Sequence, residues 1–265
     1  MAGWFLAGGT WSGELLWMMI GMSLLYVGGM TLNDAFDAEW DARNAAERPI
    51  PAGEIGERSV WVLGWAQMLG GVLVIVGFTK ANWYCWLALV LTIVLYNWSH
   101  KRWKGAALVM GGCRFLVYFV SASAVLGEEK GIPGELLAFA IGLCVYVTGI
   151  TIAARNESTS GNVGWFGKGL LFAPLLAGIV TLAMGVEHGL WGILAVALFV
   201  LWLIHSLRQL HSTRADRIGR FVGALLAGII FIDLIVLVQF GVIFWPICGS
   251  LLVLTLLAQR WIPAT

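Results

Sequence analysis

The chain carries at residues 14–41 the stretch ELLWMMIGMSLLYVGGMTLNDAFDAEWD, in which an apolar run leads directly into a cluster of carboxylates. Three of them, Asp34, Asp37 and Asp41, are spaced by three and four residues, so a helix places all three on one face. Like charges on one face repel one another, and a divalent cation among them relieves that repulsion. Oxygen-rich acidic clusters suit Mg²⁺ and a phosphate-bearing substrate. The stretch therefore predicts a membrane helix that presents a metal site where it meets water.

The composition of the whole chain is that of a membrane protein. Hydrophobic residues make up 60% of the 265 residues and charged residues 12%, which is about half of the share of about 25% in soluble domains. The predicted fold class is all-α, a polytopic transmembrane helical bundle that forms one domain over residues 1–265. Apolar runs of roughly 17–25 residues can cross a bilayer, and the predicted spans are 14–32, 60–79, 82–98, 105–126, 135–154, 168–186, 189–207, 218–238 and 241–259.

The apolar segment before the first span, residues 2–8, is too short to cross a bilayer. We interpret it either as the end of a truncated first helix or as a short interfacial segment.

The basic residues alternate between the loops. One set of alternate loops holds 13 of the 16 Lys and Arg residues, the opposite set holds only Lys80 and Lys130, and Arg114 lies within a span. Basic loops of membrane proteins face the cytoplasm, so the acidic cluster is predicted to face the cytoplasm, in a bacterial inner membrane. The net charge of +1 and the lack of a basic tail give no sign of a nucleic-acid partner.

The acidic cluster and the loop after it resemble the UbiA superfamily of intramembrane prenyltransferases. That family carries Asn-Asp-x-x-Asp-x-x-x-Asp and then Arg-Pro-Leu-Pro-x-Gly at the cytoplasmic end of its second helix. The matching positions here are Asn33, Asp34, Asp37, Asp41, Arg48, Pro49, Pro51 and Gly53, with Ile50 in place of leucine.

The resemblance implies Mg²⁺-dependent transfer of a prenyl group from an isoprenyl diphosphate to an aromatic or other hydrophobic acceptor within the lipid bilayer. It implies that Asp34, Asp37 and Asp41 hold the metal and that Asn33 orients a metal-bound water or a carboxylate. Arg48 is expected to grip the diphosphate, because a guanidinium binds phosphate oxygens bidentately. The alternative is that Arg48 is a loop arginine that only sets the topology.

Two further features accompany this motif. Pro49 and Pro51 are expected to end the helix and to shape the loop. Tyr96 is followed by Lys101 and Arg102, as is common in the family, and these two cations either complete the diphosphate cradle or anchor the helix end at the cytoplasmic surface. His100, like His188, is interpreted as an isolated loop residue.

The second motif of the family, Asp-x-x-x-Asp at the end of the sixth helix, is missing from the corresponding residues 146–158. Ala154 and Ser158 fall where the two aspartates would stand, which leaves Arg155, Asn156 and Glu157. These three residues and Tyr146, at the start of the segment, are predicted to bind substrate.

The loss of the second motif leaves three alternatives. Asn156 and Glu157 hold a weaker second metal, or Arg155 neutralises the diphosphate, or the protein is a non-catalytic binding or transport component of a specialised-metabolite pathway. The pattern Thr-x-x-Ala-Arg-x-Glu resembles a subgroup, the EboC-like proteins.

Arg114 and Asp233 are charged residues within apolar spans. A charge at the centre of a bilayer is unfavourable, so Arg114 is expected to face the bundle interior or a wet cavity. Two alternatives stay open: Arg114 forms a buried pair with Asp233, or it points into the reaction cavity toward the diphosphate or an anionic acceptor.

Overall fold

The structure, a computed structural model, describes residues 1–127, 131–160, 165–183, 189–210 and 217–259. Those residues form α-helices and one short 3₁₀ helix, Val238–Phe240, and contain no strand. The predicted all-α fold class is thereby confirmed. The helices are α1 Ala2–Leu6, α2 Gly13–Asn44, α3 Glu57–Phe78, α4 Trp83–Ser99, α5 Ala106–Leu126, α6 Gly134–Ser160, α7 Trp165–Leu170, α8 Ala173–Ala183, α9 Gly189–Gln209, α10 Arg217–Leu237 and α11 Phe244–Ala258.

The apolar helices have the dimensions of membrane spans. In the described part of the chain, six helices are long and apolar enough to cross a membrane, and three shorter stretches are also apolar. Large hydrophobic side chains are exposed along them, as at Val62, Leu69 and Leu73 of α3. Such a surface suits lipid, and helices satisfy the backbone hydrogen bonds that lipid cannot.

The predicted span at residues 168–186 differs from the structure, because α7 and α8 are two helices rather than one. Leu171 and Phe172 form the turn between them, and their backbone N–H groups donate to residues three positions earlier, Lys168 and Gly169. Pro174, the second residue of α8, has no N–H to donate back into α7, and its ring disfavours a continuous helix before it. Proline is tolerated in the first turn of a helix, so α8 begins there.

The chain divides into two compact units, one comprising Met1–Leu6 and Ile132–Thr265, the other Ala7–Gly131. The single domain expected over residues 1–265 therefore stays a prediction. In the first unit, Trp202 donates a hydrogen bond to the carbonyl of Ala224 at 2.7 Å, which ties α9 to α10. The short helix α1 is buried in this unit, where Phe5 packs edge-on against Phe244.

In the second unit, α2 and α3 approach each other through glycines. A Cβ at Gly71 would lie 2.8 Å from the carbonyl oxygen of Gly21, and a Cβ at Gly28 would lie 2.9 Å from the backbone nitrogen of Met68. Small residues permit such close helix contacts in membranes. The buried core of the unit lies around this contact and includes Met18, Leu25, Leu32, Met68 and Ile75. The packing holds α2 firmly along the length that leads to the carboxylates.

Candidate active site

The carboxylates lie in the last third of an unusually long helix. α2 has 32 residues, or about 48 Å at 1.5 Å per residue, whereas the hydrocarbon core of a bilayer is about 30 Å thick. Ser12 caps the start of the helix by accepting a hydrogen bond from the backbone N–H of Leu15 at 3.2 Å. The end that carries Asp34, Asp37 and Asp41 therefore extends beyond the apolar run.

Asp37 is buried and lies close to two basic side chains that directly follow α4. Its carboxylate lies 3.1 Å from His100 Nε2 and 3.4 Å from Lys101 Nζ. Lys101 Nζ also lies 3.8 Å from the ring centroid of Trp40, a favourable cation–π arrangement. These contacts join the end of α4 to the acidic face of α2.

His100 was expected to be an isolated loop residue, and that interpretation is wrong. Its Nδ1 lies 3.1 Å from the carbonyl oxygen of Asn97, and its ring stacks on Tyr96 at 5.2 Å. Both ring nitrogens thus lie within hydrogen-bond distance of an oxygen atom, that of the Asn97 carbonyl and that of the Asp37 carboxylate. The spacing of one helical turn between Tyr96 and His100 indicates that their rings can stack. No such local signal exists for the other partner, Asp37, which lies 63 positions away in the sequence.

Asp41 is the most enclosed carboxylate of the cluster. Arg48 Nη1 donates to Asp41 Oδ2 at 3.0 Å, and the Asp41 side chain is 3% exposed against 41% for Arg48. The other oxygen, Oδ1, is buried and has no hydrogen-bond partner in the described part of the chain. A buried acceptor without a partner is costly, so Oδ1 is an available ligand atom.

The loop that presents Arg48 is ordered by its own backbone. The N–H of Ala52 donates to the carbonyl of Arg48 at 2.9 Å, and the N–H of Glu54 donates to that of Pro49 at 3.0 Å. Gly53 has a φ of +76°, in the left-handed region that favours glycine. α2 ends at Asn44, five residues before Pro49, so the prolines shape the loop and do not terminate the helix directly as expected.

Asp34 and Asn33 differ in their surroundings. Asp34 is exposed and has no ion-pair partner among residues 7–127. Its carboxylate interacts electrostatically with Arg48, Asp37 and Asp41. Asn33 Nδ2 donates to Asn97 Oδ1 at 3.2 Å, which ties α2 to α4. The expected role of Asn33 at a metal-bound water stays a prediction.

Two further predicted cations of this unit contact aromatic rings instead of carboxylates. The Arg102 guanidinium carbon lies 5.7 Å from the ring centroid of Trp98. The Arg114 guanidinium carbon lies 5.0 Å from the ring centroid of Tyr26. Neither arginine has a carboxylate partner among residues 7–127.

The remaining predicted residues belong to the other unit. Tyr146 is fully buried, and its hydroxyl donates to the carbonyl of Leu225 at 2.8 Å. In this core position Tyr146 has no exposed surface, and the substrate-binding role expected for it stays a prediction. Arg155 is half-buried near the end of α6, whereas the side chains of Asn156 and Glu157 lie outside the described residues.

Asp233 has electrostatic interactions with the Met1 amine and the Cys248 thiol. It belongs to the unit that contains α6, whereas Arg114 belongs to the unit that contains α2. The pairing of Arg114 with Asp233 therefore stays a prediction.

The donor set of the acidic face fits Mg²⁺ in part. No group of three or more His, Cys, Asp or Glu side chains in the described part of the chain is already arranged to hold a metal ion. The chain's own cations neutralise Asp37 and Asp41 instead. The unpartnered Oδ1 of Asp41 and the exposed carboxylate of Asp34 nevertheless supply the hard oxygen ligands that Mg²⁺ prefers.

The fold and this site define an all-α integral membrane protein in which the carboxylates at one helix end lie beside basic side chains. The model of the UbiA prenyltransferase family matches residues 1–229. The chain belongs to the UbiA prenyltransferase family.

Several named proteins are similar to parts of the chain. A digeranylgeranylglyceryl phosphate synthase of Korarchaeum cryptofilum is 30% identical over 148 residues, covering 52% of this chain and 50% of that protein. One of Methanopyrus kandleri is 35% identical over 113 residues, covering 41% and 38%. A protoheme IX farnesyltransferase of Bartonella henselae is 35% identical over 91 residues, covering 32% and 28%. The chain spans about half the length, or less, of the curated relatives it matches.

A solved structure, described as giving structural and mechanistic insights into the biosynthesis of digeranylgeranylglyceryl phosphate synthase in membranes, is similar over 90% of both chains. The TM-score is 0.61 and the sequence identity is 15%. At that identity the likeness shows the fold alone.

Proposed function

We propose that the protein transfers a prenyl group from an isoprenyl diphosphate to an aromatic or other hydrophobic acceptor within the membrane, with Mg²⁺ as cofactor. The observation that carries the proposal is the acidic face of α2, where Asp41 keeps a buried oxygen without a hydrogen-bond partner. Family membership and the names of the relatives support prenyl transfer.

In this reaction the bond between the allylic carbon and the diphosphate oxygen breaks, and a new bond forms from the acceptor to that carbon. The acceptor loses a proton, and diphosphate leaves. Mg²⁺, when bound by Asp34, Asp37 and Asp41, supplies the charge neutralisation that makes diphosphate a good leaving group.

The chain's own cations add to that neutralisation. The Arg48 guanidinium has five donors, and one of them holds Asp41 while the exposed part of the side chain is available to the diphosphate. Two further cations add positive charge near the acidic face. They are Lys101, which pairs with Asp37, and Arg102, which stacks on Trp98. Arg155, Asn156 and Glu157 are proposed to act on the diphosphate in place of the missing second aspartate motif.

A specific observation favours a second candidate, a non-catalytic binding or transport component of a specialised-metabolite pathway. Asp37 and Asp41 are already paired with Lys101 and Arg48, so two of the three carboxylates are neutralised without a metal. The EboC-like subgroup assignment likewise stays a prediction.

Purified full-length protein in lipid nanodiscs separates the two candidates. Diphosphate release from labelled prenyl diphosphates is measured with Mg²⁺ and a panel of aromatic and lipid acceptors, and binding of the same donors is measured in parallel. The enzyme predicts Mg²⁺-dependent release that Asp34→Asn and Asp41→Asn abolish. The matched control is Glu39→Gln, which removes an exposed carboxylate of the same helix that pairs with Arg43.

Mg²⁺-dependent donor binding without release on any acceptor supports the non-catalytic component. A protein that neither binds the donors nor releases diphosphate would contradict both candidates.

We also propose that the acidic face opens to the cytoplasm. The support is the concentration of basic residues in one set of loops. Cysteine substitutions at Arg58, in the first turn of α3, and at Lys80, just beyond its other end, test it in inverted and right-side-out vesicles. A membrane-impermeant maleimide should label position 58 only in inverted vesicles and position 80 only in right-side-out vesicles; the reverse pattern contradicts the orientation.

A further inference from the structure

A cavity of about 570 Å³ lies between the end of α2, the start of α3 and the loop at residues 45–56 that joins them. Its volume lies within the roughly 300–1,000 Å³ of pockets that bind small molecules. Ala35, Glu39 and Ala42 line the cavity. Spacings of four and three residues place them on one face of α2, which differs from the face of the three aspartates. The cavity is therefore separate from the candidate active site.

The lining of this cavity is apolar except for two carboxylates. Phe36 and Trp61 form an aromatic wall, with ring centroids 4.7 Å apart in an edge-to-face arrangement. The carboxylates belong to Glu39 and Glu57, and none of the described lining residues is basic. Glu39 is paired with Arg43. A carboxylate beside aromatic rings suits an organic cation, which both groups attract.

Glu57 is the carboxylate that can receive this cation. It accepts a hydrogen bond from the indole N–H of Trp61 at 3.1 Å and has no ion-pair partner among residues 7–127. An ionised carboxylate has about four acceptor positions, so Glu57 can accept from a ligand while it holds Trp61. The residue is exposed, and a ligand can therefore reach it from outside the helix pair.

Arg58, the next residue, lies at the end of the lipid-facing side of α3. Val62, Trp65 and Leu69 follow it at spacings of four, three and four residues, so they share its helix face, and all are exposed. Tryptophan at such a position is typical of the interface between lipid and water. Adjacent helix residues point about 100° apart, so Glu57 lies at the cavity while Arg58 lies above the apolar stripe.

We propose that the cavity and this face of α3 bind a phospholipid with an ethanolamine headgroup. The ammonium enters the cavity, where it donates to Glu57 and lies against the aromatic wall. The phosphate binds the Arg58 guanidinium, and the acyl chains pack along the stripe of Val62, Trp65 and Leu69. The order of carboxylate, guanidinium and apolar stripe matches the order of ammonium, phosphate and chains in such a lipid.

The bound headgroup also contacts the loop that presents Arg48. Ile50, Pro51 and Ile55 line the cavity, whereas Arg48 donates to Asp41. A ligand that binds only the ordered loop stabilises it by mass action. The lipid site thereby supports the position of Arg48, and it exists whether or not the protein transfers prenyl groups.

The test is a titration of the purified full-length protein in detergent with dioleoyl phospholipids, in which native mass spectrometry resolves single lipid adducts. Wild-type protein should bind phosphatidylethanolamine at least about threefold more tightly than phosphatidylcholine, whose ammonium has no N–H, or phosphatidylglycerol, which has no ammonium. That ratio is expected for an ion pair partly open to water. Equal or reversed affinities overturn the proposal.

The free headgroup separates a lipid from a soluble ammonium compound. Phosphoethanolamine, which lacks the chains, should not displace the lipid at an equal concentration, because it gains nothing from the apolar stripe of α3. Displacement at that concentration would show that the stripe takes no part and would overturn the lipid as the occupant.

Charge substitutions assign the preference to the headgroup contacts. Glu57→Gln should abolish the preference, since the amide still accepts from Trp61 but carries no charge. Glu47→Gln, at an exposed carboxylate of the loop outside the lining, is the matched control and should keep it. Arg58→Gln should weaken the binding of all three lipids, because each contains the phosphate. A preference that survives Glu57→Gln would mean that Glu57 only complements the dipole of α3 and would overturn the assignment.

A second pair of variants tests the cavity without changing a charge. Ala42→Phe fills the cavity from α2 and should remove the preference, whereas Ala46→Phe, at an exposed position outside the lining, should not. Monodisperse elution and an unchanged melting temperature without added lipid verify that the variants fold.

Hydrogen exchange locates the bound lipid. The backbone amides of the loop should exchange up to about threefold more slowly in nanodiscs of phosphatidylethanolamine than in nanodiscs of phosphatidylcholine, following the ratio of the affinities. This difference should vanish in Ala42→Phe. Equal exchange of the wild-type loop in the two lipids would place the lipid elsewhere and overturn the site.

Discussion

Removal of Arg48 tests how the acidic end of α2 is held in place. Arg48 Nη1 lies 3.0 Å from Asp41 Oδ2, the Asp41 side chain is 3% exposed, and Asp41 Oδ1 has no hydrogen-bond partner among the described residues. Arg48→Ala therefore leaves a buried carboxylate with neither oxygen paired.

The expected loss in the free energy of unfolding follows from the burial of Arg48 and Asp41. Removing one side of a fully buried pair costs about 3–5 kcal/mol, and losing a hydrogen bond to a charged group costs about 1.5–3 kcal/mol. The Arg48 side chain is 41% exposed, so water screens the pair and the smaller range applies. We expect the free energy of unfolding to fall by about 1.5–3 kcal/mol without Mg²⁺, a factor of about 10 to 140 in the unfolding equilibrium.

Titration with SDS from mixed micelles measures this free energy, with Arg43→Ala as the control. Arg43 pairs with Glu39 one turn away on α2, and both side chains are exposed, so the control should lose only about 0.3–0.5 kcal/mol. Saturating Mg²⁺ should restore part of the stability of Arg48→Ala, because the metal then neutralises Asp41. A loss no larger than that of the control refutes the reasoning, and a larger loss that Mg²⁺ leaves unchanged refutes the metal role of Asp41.

Three further substitutions test the packing and the contacts around the site. Gly71→Ala, whose Cβ would lie 2.8 Å from a backbone oxygen of α2, should destabilise the protein by about 1–3 kcal/mol. Gly70→Ala, whose Cβ has its nearest contact at 3.9 Å, should not. Equal melting temperatures of the two variants would contradict this helix contact. His100→Ala removes a hydrogen bond to a buried carboxylate and should lower the SDS-unfolding free energy by about 1.5–3 kcal/mol, against little change for His205→Ala at an exposed position. Tyr146→Phe removes the hydrogen bond to the Leu225 carbonyl and should cost about 0.5–1.5 kcal/mol, with the affinity for prenyl diphosphates unchanged. A weakened affinity in a stable protein would support a substrate-binding role for Tyr146.

The helices and the acidic face could be predicted because their causes are local. The length of an apolar run determines whether a helix can cross a bilayer, and a spacing of three and four residues determines a shared helix face. The break between α7 and α8 also has a local cause, Pro174, but the strongly apolar character of the segment favoured a single continuous span. The burial of Tyr146 could not be predicted, because its position within the helix does not say whether the side chain faces a substrate or the core.

The sequence by itself determined the fold class, the family and the row of Asp34, Asp37 and Asp41, because periodicity and motif spacing are properties of one segment. Only the tertiary structure decided how that row is neutralised. The glycine-mediated contact of α2 with α3 and the packing of α4 bring His100 and Lys101 to Asp37 across more than sixty positions of sequence. A contact between residues so far apart depends on which helix faces meet, and no local pattern specifies that.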